Sequence, residues 1–121
     1  MIDKIQREDP MENNWNDRLG SLVKRVSAFA KANAPVAGAF HNLETATRAS
    51  SVLDAKTHEL ISLAVAVTTR CDGCIASHAR AAKKAGASKE EISAALGTAI
   101  ALNAGAAYVY SSRALEAFEQ L

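Results

Sequence analysis

Between Trp15 and Ala30 the apolar residues Trp15, Leu19, Leu22, Val23, Val26, Phe29 and Ala30 recur at steps of three and four. That spacing gathers side chains on one face of a helix. It predicts an amphipathic helix from about Asn14 to Asn33, ended before Pro35. The next stretch, from Pro35 to Arg48, turns Val36, Phe40 and Leu43 inward, with Pro35 suited to a first helical turn. Ser50 and Ser51 mark a loop, and Asp54 is placed to cap a third helix from about Ala55 to Thr69. There Leu60, Ile61, Leu63, Ala64, Val65 and Val67 go all round the axis. Such a helix is expected to be buried on most sides.

A fourth helix is predicted from around Cys71 and Cys74 to Ala85, with Lys83 and Lys84 in its last turn and Gly86 as its stop. Ser88 and Glu91 have the spacing of a capping box and open a fifth helix to about Asn103. Gly97, Ala101 and Gly105 form a ridge of small residues at four-residue spacing. A sixth helix is predicted from about Ala106 to Glu119, with Asn103 to Gly105 as a break or kink. No strand pattern, internal repeat or low-complexity tract interrupts this reading. The expectation is an all-α, single-domain bundle of about six helices over residues 14–121. Residues 1–13, mixed and charged with Pro10, form an N-terminal extension.

Composition sharpens the fold more than the function. Nearly half of the 121 residues are hydrophobic but 5% are aromatic, and alanine supplies much of the difference. Alanine favours helices and lets their backbones pack closely. A chain this short buries only about two-thirds of its unfolded surface, so association with other copies has much to add. The net charge is +1, with no run of five basic residues, which gives no reason to expect nucleic acid or an anionic membrane as a partner. The first ten residues are too polar for a signal peptide, and apolar runs such as Leu63 to Val67 are far short of a bilayer span. Together with a single Cys-x-x-Cys this points to the reducing cytoplasm and to reactive thiols.

The chemistry is concentrated between Glu59 and His78. Both cysteines of the chain, Cys71 and Cys74, lie there as Cys-Asp-Gly-Cys, and His78 follows Cys74 by four residues. Two thiols at this spacing can close a small disulfide ring, and a His at i+4 lies on the same helical face as Cys74. A turn near Arg70 to Asp72 would make the third and fourth helices an antiparallel hairpin. Glu59 and His78 are then offset by about 6 Å along the axis, a gap side chains can bridge. The expected order of a proton path is Glu59, His78, Cys74, Cys71. The thiolate is the nucleophile, and a free thiol, with a pKa of about 8.5, is mostly protonated at neutral pH. A helix N-terminus favours the anion, His78 can take the proton, and Glu59 would orient the imidazole. A thiolate that attacks a peroxide becomes a sulfenic acid, which the second cysteine converts to a disulfide. A dithiol donor must then reduce it.

Other readings of the same residues stand beside this one. Cys71, Cys74, His78 and Glu59 are types that zinc accepts, but a structural zinc site draws its ligand pairs from separate segments, so no metal or other cofactor is expected. Glu59 alone could be a solvated carboxylate. His58 points about 100° away from Glu59 on a helix and is expected to be peripheral, and His41 to lie at the surface or core edge. Trp15, Tyr108 and Tyr110 are expected in the core or in a subunit interface.

Glu59, Cys71-Asp72-Gly73-Cys74 and His78, set between L-D-A-K-T-H-E-L-I-S-L-A-V-A-V and H-A-R-A-A-K-K-A-G-A-S-K-E-E-I, resemble the AhpD-like alkylhydroperoxidase group of the carboxymuconolactone decarboxylase superfamily. The similarity runs loosely from about Ala34 to Phe118. It implies an all-helical domain, a homo-oligomer (a hexamer in many chains with one domain copy), and hydroperoxide reduction by the cysteine pair. It also implies Glu59 and His78 as a proton relay and a dithiol donor such as a lipoyl-bearing protein. Gly73 stands where some members have a second His, which puts the level of activity and the donor in question. Two rivals remain: a decarboxylase acting on a small lactone acid with His78 as base, and an oligomeric redox sensor without turnover.

Overall fold

The computed structural model describes residues 14–50 and 52–121. Among them are five α-helices: α1 (Trp15–Ala32), α2 (Ala34–Ala49), α3 (Ala55–Thr69), α4 (Asp72–Lys84) and α5 (Lys89–Gln120). The fold is all-α, as the periodicity predicts. The proposed N-terminal extension and Ser51 of the loop lie outside the described residues.

The chain divides into two units, one holding α1 and α2 up to Asp54 and one from Ala55 to Leu121. In the first, α1 and α2 pack against each other. Asn14 caps α1 by accepting from the Asn16 N–H at 2.9 Å. Asn33 ends α1 and starts α2, its side chain accepting from the Val36 N–H at 3.5 Å, with Pro35 in the first turn. An Asn at this junction satisfies an orphan donor of the new helix, and Pro35 has no N–H there to leave unpaired. Neither helix has a buried residue, and Trp15, Phe29, Phe40 and Leu43, expected to turn inward, are exposed. The Arg18 guanidinium lies over the Trp15 ring, 4.8 Å from its centroid.

In the second unit α3 is the central helix, packed on both α4 and α5. Its register with α5 is fixed by two links. Lys56 Nζ donates to Glu91 Oε1 at 3.0 Å, and Asn103 Nδ2 donates to Thr68 Oγ1 at 2.8 Å. Both pairs are 35 residues apart, so α3 and α5 run parallel and in step. The α3–α4 connection is a tight turn, and the two helices run antiparallel. The core is built of small residues: Leu63 with Ala66, Ala76, Ala82 and Ala99. Small side chains allow close backbone approach, and each contributes little transfer energy, about 0.8 kcal/mol per buried methylene-sized group.

Two turns end in the same way. After α4, Gly86 adopts φ 84°, and the N–H groups of Gly86 and Ala87 bond to the carbonyls of Lys83 and Ala82. After α3, Arg70 adopts φ 54°, with Arg70 N–H bonded to Val67 O and Cys71 N–H to Ala66 O. Both are Schellman caps. Glycine takes the left-handed position at no steric cost, and Arg70 does not.

Three expectations are corrected. The break at Asn103–Gly105 is absent: α5 is continuous, so the described residues form five helices rather than about six. Asn103 remains helical because its side chain donates to the Ala99 carbonyl at 2.8 Å and to Thr68, so its polar group is satisfied without leaving the helix. Continuity also makes α5 long and apolar enough, by length and composition, to cross a bilayer, with a mean hydropathy of 1.5. Finally, α3 buries only Glu59, Leu63 and Ala66 fully, while Ile61 and Val65 are 49% and 56% exposed. Two packed neighbours cover two sides of a helix and leave the third open.

Candidate functional site

Cys71 is the N-cap residue of α4, in extended conformation at φ −103°, ψ 99°. Its Sγ accepts from the Cys74 N–H at 3.1 Å, taking the place that a Ser or Asp oxygen fills in most caps. Cys71 and Cys74 form a disulfide, with their Cα atoms 5.2 Å apart. The same spacing that suits a capping contact suits the disulfide, because residues N-cap and N3 are adjacent across the first helical turn. The sulfurs therefore sit at the positive end of α4, where Asp72 also lies in the first turn.

One turn further along, His78 meets Glu59 across the hairpin. His78 Nδ1 and Glu59 Oε2 are 2.6 Å apart. Glu59 is 2% exposed, the one charged residue among the buried positions of the described chain, while His78 is partly exposed. A carboxylate can only accept, so an ionised Glu59 accepts a hydrogen bond from Nδ1–H and leaves Nε2 of His78 as the basic nitrogen. Burial of Glu59 without a donor would be costly, and this contact offsets that cost.

A groove of about 260 Å³, open to solvent, runs along this hairpin. One face of α3 supplies Ile61, Ser62, Val65, Ala66 and Thr69, and α4 supplies Cys74 and His78. Ser62 and Thr69 donate their hydroxyl protons to the carbonyls of His58 (2.8 Å) and Val65 (3.0 Å). Each keeps an oxygen lone pair for a donor entering the groove. Apart from the His78 imidazole, the rest of the lining beside the sulfur is apolar: Ile61, Val65 and Ala66. Cys71 does not line the groove.

The structure thus brings together Glu59, His78, Cys74 and Cys71 in the order along the hairpin expected from the sequence. Ser62 and Thr69 escaped that reading. Their only signal was their place on the open face of α3, Ser62 one turn beyond Glu59 and Thr69 one turn beyond Val65. His58 keeps to the partly exposed side, and His41 is exposed. Trp15, Tyr108 and Tyr110 are exposed rather than buried in this chain. Among the described residues no group of three or more His, Cys, Asp and Glu side chains is arranged to hold a metal ion.

These features define an all-helical protein whose disulfide-bonded Cys-x-x-Cys caps a helix beside a buried carboxylate–imidazole pair. The model of the carboxymuconolactone decarboxylase family matches residues 34–117, and the chain belongs to that family. It is 53% identical over 108 residues to an uncharacterized protein of Haemophilus influenzae, covering 89% of this chain and 96% of the relative. It is 36% identical over 104 residues to an uncharacterized protein of the cox locus of Paracoccus denitrificans, covering 84% and 94%. The crystal structure of an apo carboxymuconolactone decarboxylase family protein from Legionella pneumophila superposes with a TM-score of 0.69. That protein is 33% identical, and the match covers 88% of this chain and 95% of that one.

Proposed function

We propose that this protein is a thiol peroxidase of the AhpD-like kind, reducing hydroperoxides through Cys71 and Cys74 with Glu59 and His78 as the proton relay. The observation that carries the reading is that Cys74 and His78 line one groove while Glu59 holds His78 from behind. In the reduced protein His78 takes the Cys74 proton and Glu59 stabilises the imidazolium. The Cys74 thiolate attacks the terminal peroxide oxygen; the S–O bond forms and the O–O bond breaks. The alkoxide leaves with the proton from His78, as an alcohol. Cys71 then attacks the Cys74 sulfenic acid, the S–S bond forms, and water leaves. A dithiol donor, such as a lipoyl-bearing protein in the cytoplasm, attacks the disulfide at Cys71 and is itself oxidised as both thiols are restored. The apolar groove favours organic hydroperoxides, whose O–H can donate to Thr69 or Ser62.

The test is hydroperoxide consumption with a dihydrolipoyl donor by the intact protein and by Cys74→Ser. Turnover that is lost in the variant is expected. Turnover that survives Cys74→Ser would overturn the thiol mechanism, and decarboxylation of a small lactone acid that survives Cys71→Ser would move the reading to a decarboxylase with His78 as base. A disulfide that forms without turnover would leave a redox sensor.

A further inference from the structure

The two sulfurs of the disulfide face different surroundings. Cys74 lines the groove with His78, and Cys71 does not. Cys71 stands at the tip of the hairpin, half-buried, where α3 ends at Thr69 and α4 begins at Asp72. Arg70 and Cys71 are the whole connection between those helices. A molecule in the groove therefore reaches one sulfur, and a thiol arriving at the tip reaches the other.

Arg70 is the one non-glycine residue at positive φ in the described chain, and Gly86 fills the equivalent position after α4 without the steric cost a Cβ brings there. A residue held in such a conformation against its own preference points to a task other than stability. The Arg70 side chain is exposed and makes no hydrogen bond, ion pair or ring contact with a described residue. The same is true of Asp72, so the two charges flank Cys71 without pairing with each other. They are not equivalent. Asp72 lies in the first turn of α4, where the unpaired N–H groups of the helix end offset its charge. The last carbonyls of α3 are already bonded, Val67 O to the Arg70 N–H and Ala66 O to the Cys71 N–H. The guanidinium is thus the less compensated charge at the tip.

We infer that Arg70 selects the reductant, drawing thiol donors of net negative charge to Cys71 and holding the thiolate there while it attacks. The inference rests on the proposed function in taking Cys71 as the sulfur the donor attacks. The donor's thiolate sulfur bonds to Cys71 Sγ, the Cys71–Cys74 bond breaks, and Cys74 leaves as a thiolate at the N-terminus of α4. The donor's second thiolate then attacks the first donor sulfur, the donor closes its own disulfide, and Cys71 is released as a thiolate. The donor is oxidised by the two electrons the protein gains, and the protons its thiols shed return to the Cys71 and Cys74 sulfurs. Negative charge stands beside Arg70 in both steps, first on the incoming donor and then on Cys71. Neighbouring Cα atoms are about 3.8 Å apart, so the guanidinium can come within about 6 Å of a thiolate at Cys71. At that distance in water each unit of charge changes the rate roughly threefold. Arginine also keeps its charge at any working pH.

The experiment follows reduction of the disulfide in the full chain, without hydroperoxide, by acid quenching, alkylation and mass. The probes are 2-mercaptoethanesulfonate, 2-mercaptoethanol and cysteamine, whose attacking thiolates are a dianion, a monoanion and a zwitterion. Arg70→Asn removes the charge and keeps the turn, because Asn tolerates the left-handed region. It should slow the sulfonate roughly tenfold and mercaptoethanol about threefold, and leave cysteamine nearly unchanged. Each thiol is compared with itself, so its own pKa cancels. Arg70→Lys should keep the wild-type rates within about twofold. Arg80→Gln, which removes an exposed charge further along α4, should alter none of them. In salt of about 1 M, where screening acts within about 3 Å, the effect of Arg70→Asn on the sulfonate should largely disappear. Equal slowing of all three thiols by Arg70→Asn overturns the inference, because it marks a disturbed turn rather than a lost charge. An equal effect from Arg80→Gln overturns it too, because net charge alone would then explain the ranking. None of these rates needs turnover: a protein without peroxidase activity that keeps the charge ranking would sink the enzymatic reading and leave this one standing.

Discussion

Glu59 and His78 are 19 residues apart in the chain and 2.6 Å apart in space, joined across the α3–α4 hairpin with the carboxylate buried and the imidazole at the groove. Under the proposed function Glu59 acts through His78 rather than on substrate. Glu59→Gln should therefore lower hydroperoxide turnover by about 10²-fold, the lower end of what positioned acid–base groups supply. His78→Gln should lower it at least as much. Stopped-flow oxidation with alkaline and neutral buffers separates the roles: a pre-formed thiolate at high pH should rescue His78→Gln more than Cys74→Ser. Equal losses at all pH values would remove the relay.

The double duty of Cys71 as cap and as disulfide partner can be split by two substitutions. Under reducing conditions Cys71→Ser retains an N-cap acceptor and should match the wild-type stability closely, whereas Cys71→Ala should be less stable by about 1 kcal/mol. Both should be inactive as peroxidases. Urea denaturation in the presence of a reductant checks the first statement, and turnover checks the second. Identical stabilities of the Ser and Ala variants would show that the sulfur contributes nothing as a cap.

Arg70 and Gly86 occupy equivalent left-handed positions at the ends of α3 and α4. Arg70→Gly should stabilise the protein by about 1 kcal/mol, and Gly86→Ala should destabilise it by a similar amount. A Cβ at Gly86 would meet nothing within 4 Å, so the second effect is purely one of backbone conformation. Thermal unfolding of the two variants measures both signs.

Glu91 serves two contacts with its two oxygens. Oε2 accepts from the Ser88 N–H at 3.0 Å, completing the capping box, while Oε1 accepts from Lys56 Nζ. Glu91→Gln keeps the box and loses the ion pair, which is partly exposed and should cost less than about 1 kcal/mol. Glu91→Ala loses both and should cost about 1–2 kcal/mol. A Gln variant as damaged as the Ala variant would make the ion pair the main link between α3 and α5.

Much of this was legible in the chain itself. The bounds of α3, the capping box at Ser88 and the stop at Gly86 follow from local chemistry, which acts within a few residues. The meeting of Glu59 with His78 follows from one turn and a helical rise. What escaped depended on neighbours. Asn103 looked like a breaker until Thr68 and the Ala99 carbonyl were available to hold its side chain. The apolar positions all round α3 state how much surface wants cover, and nothing local states which helix provides it. The same holds for Trp15, Phe40 and Tyr108, whose exposure in a single chain the pattern could not signal.

The hairpin that carries Glu59, Cys71, Cys74 and His78 is one uninterrupted segment of about twenty residues. Its contacts are short in sequence, and short-range contacts form early because little loop entropy is lost in closing them. The sulfur chemistry therefore belongs to a module that matures on the single chain, at a rate independent of concentration. From the moment the hairpin has closed, the cysteine pair can meet whatever oxidant or thiol reaches it first, without waiting for a slower, concentration-dependent step.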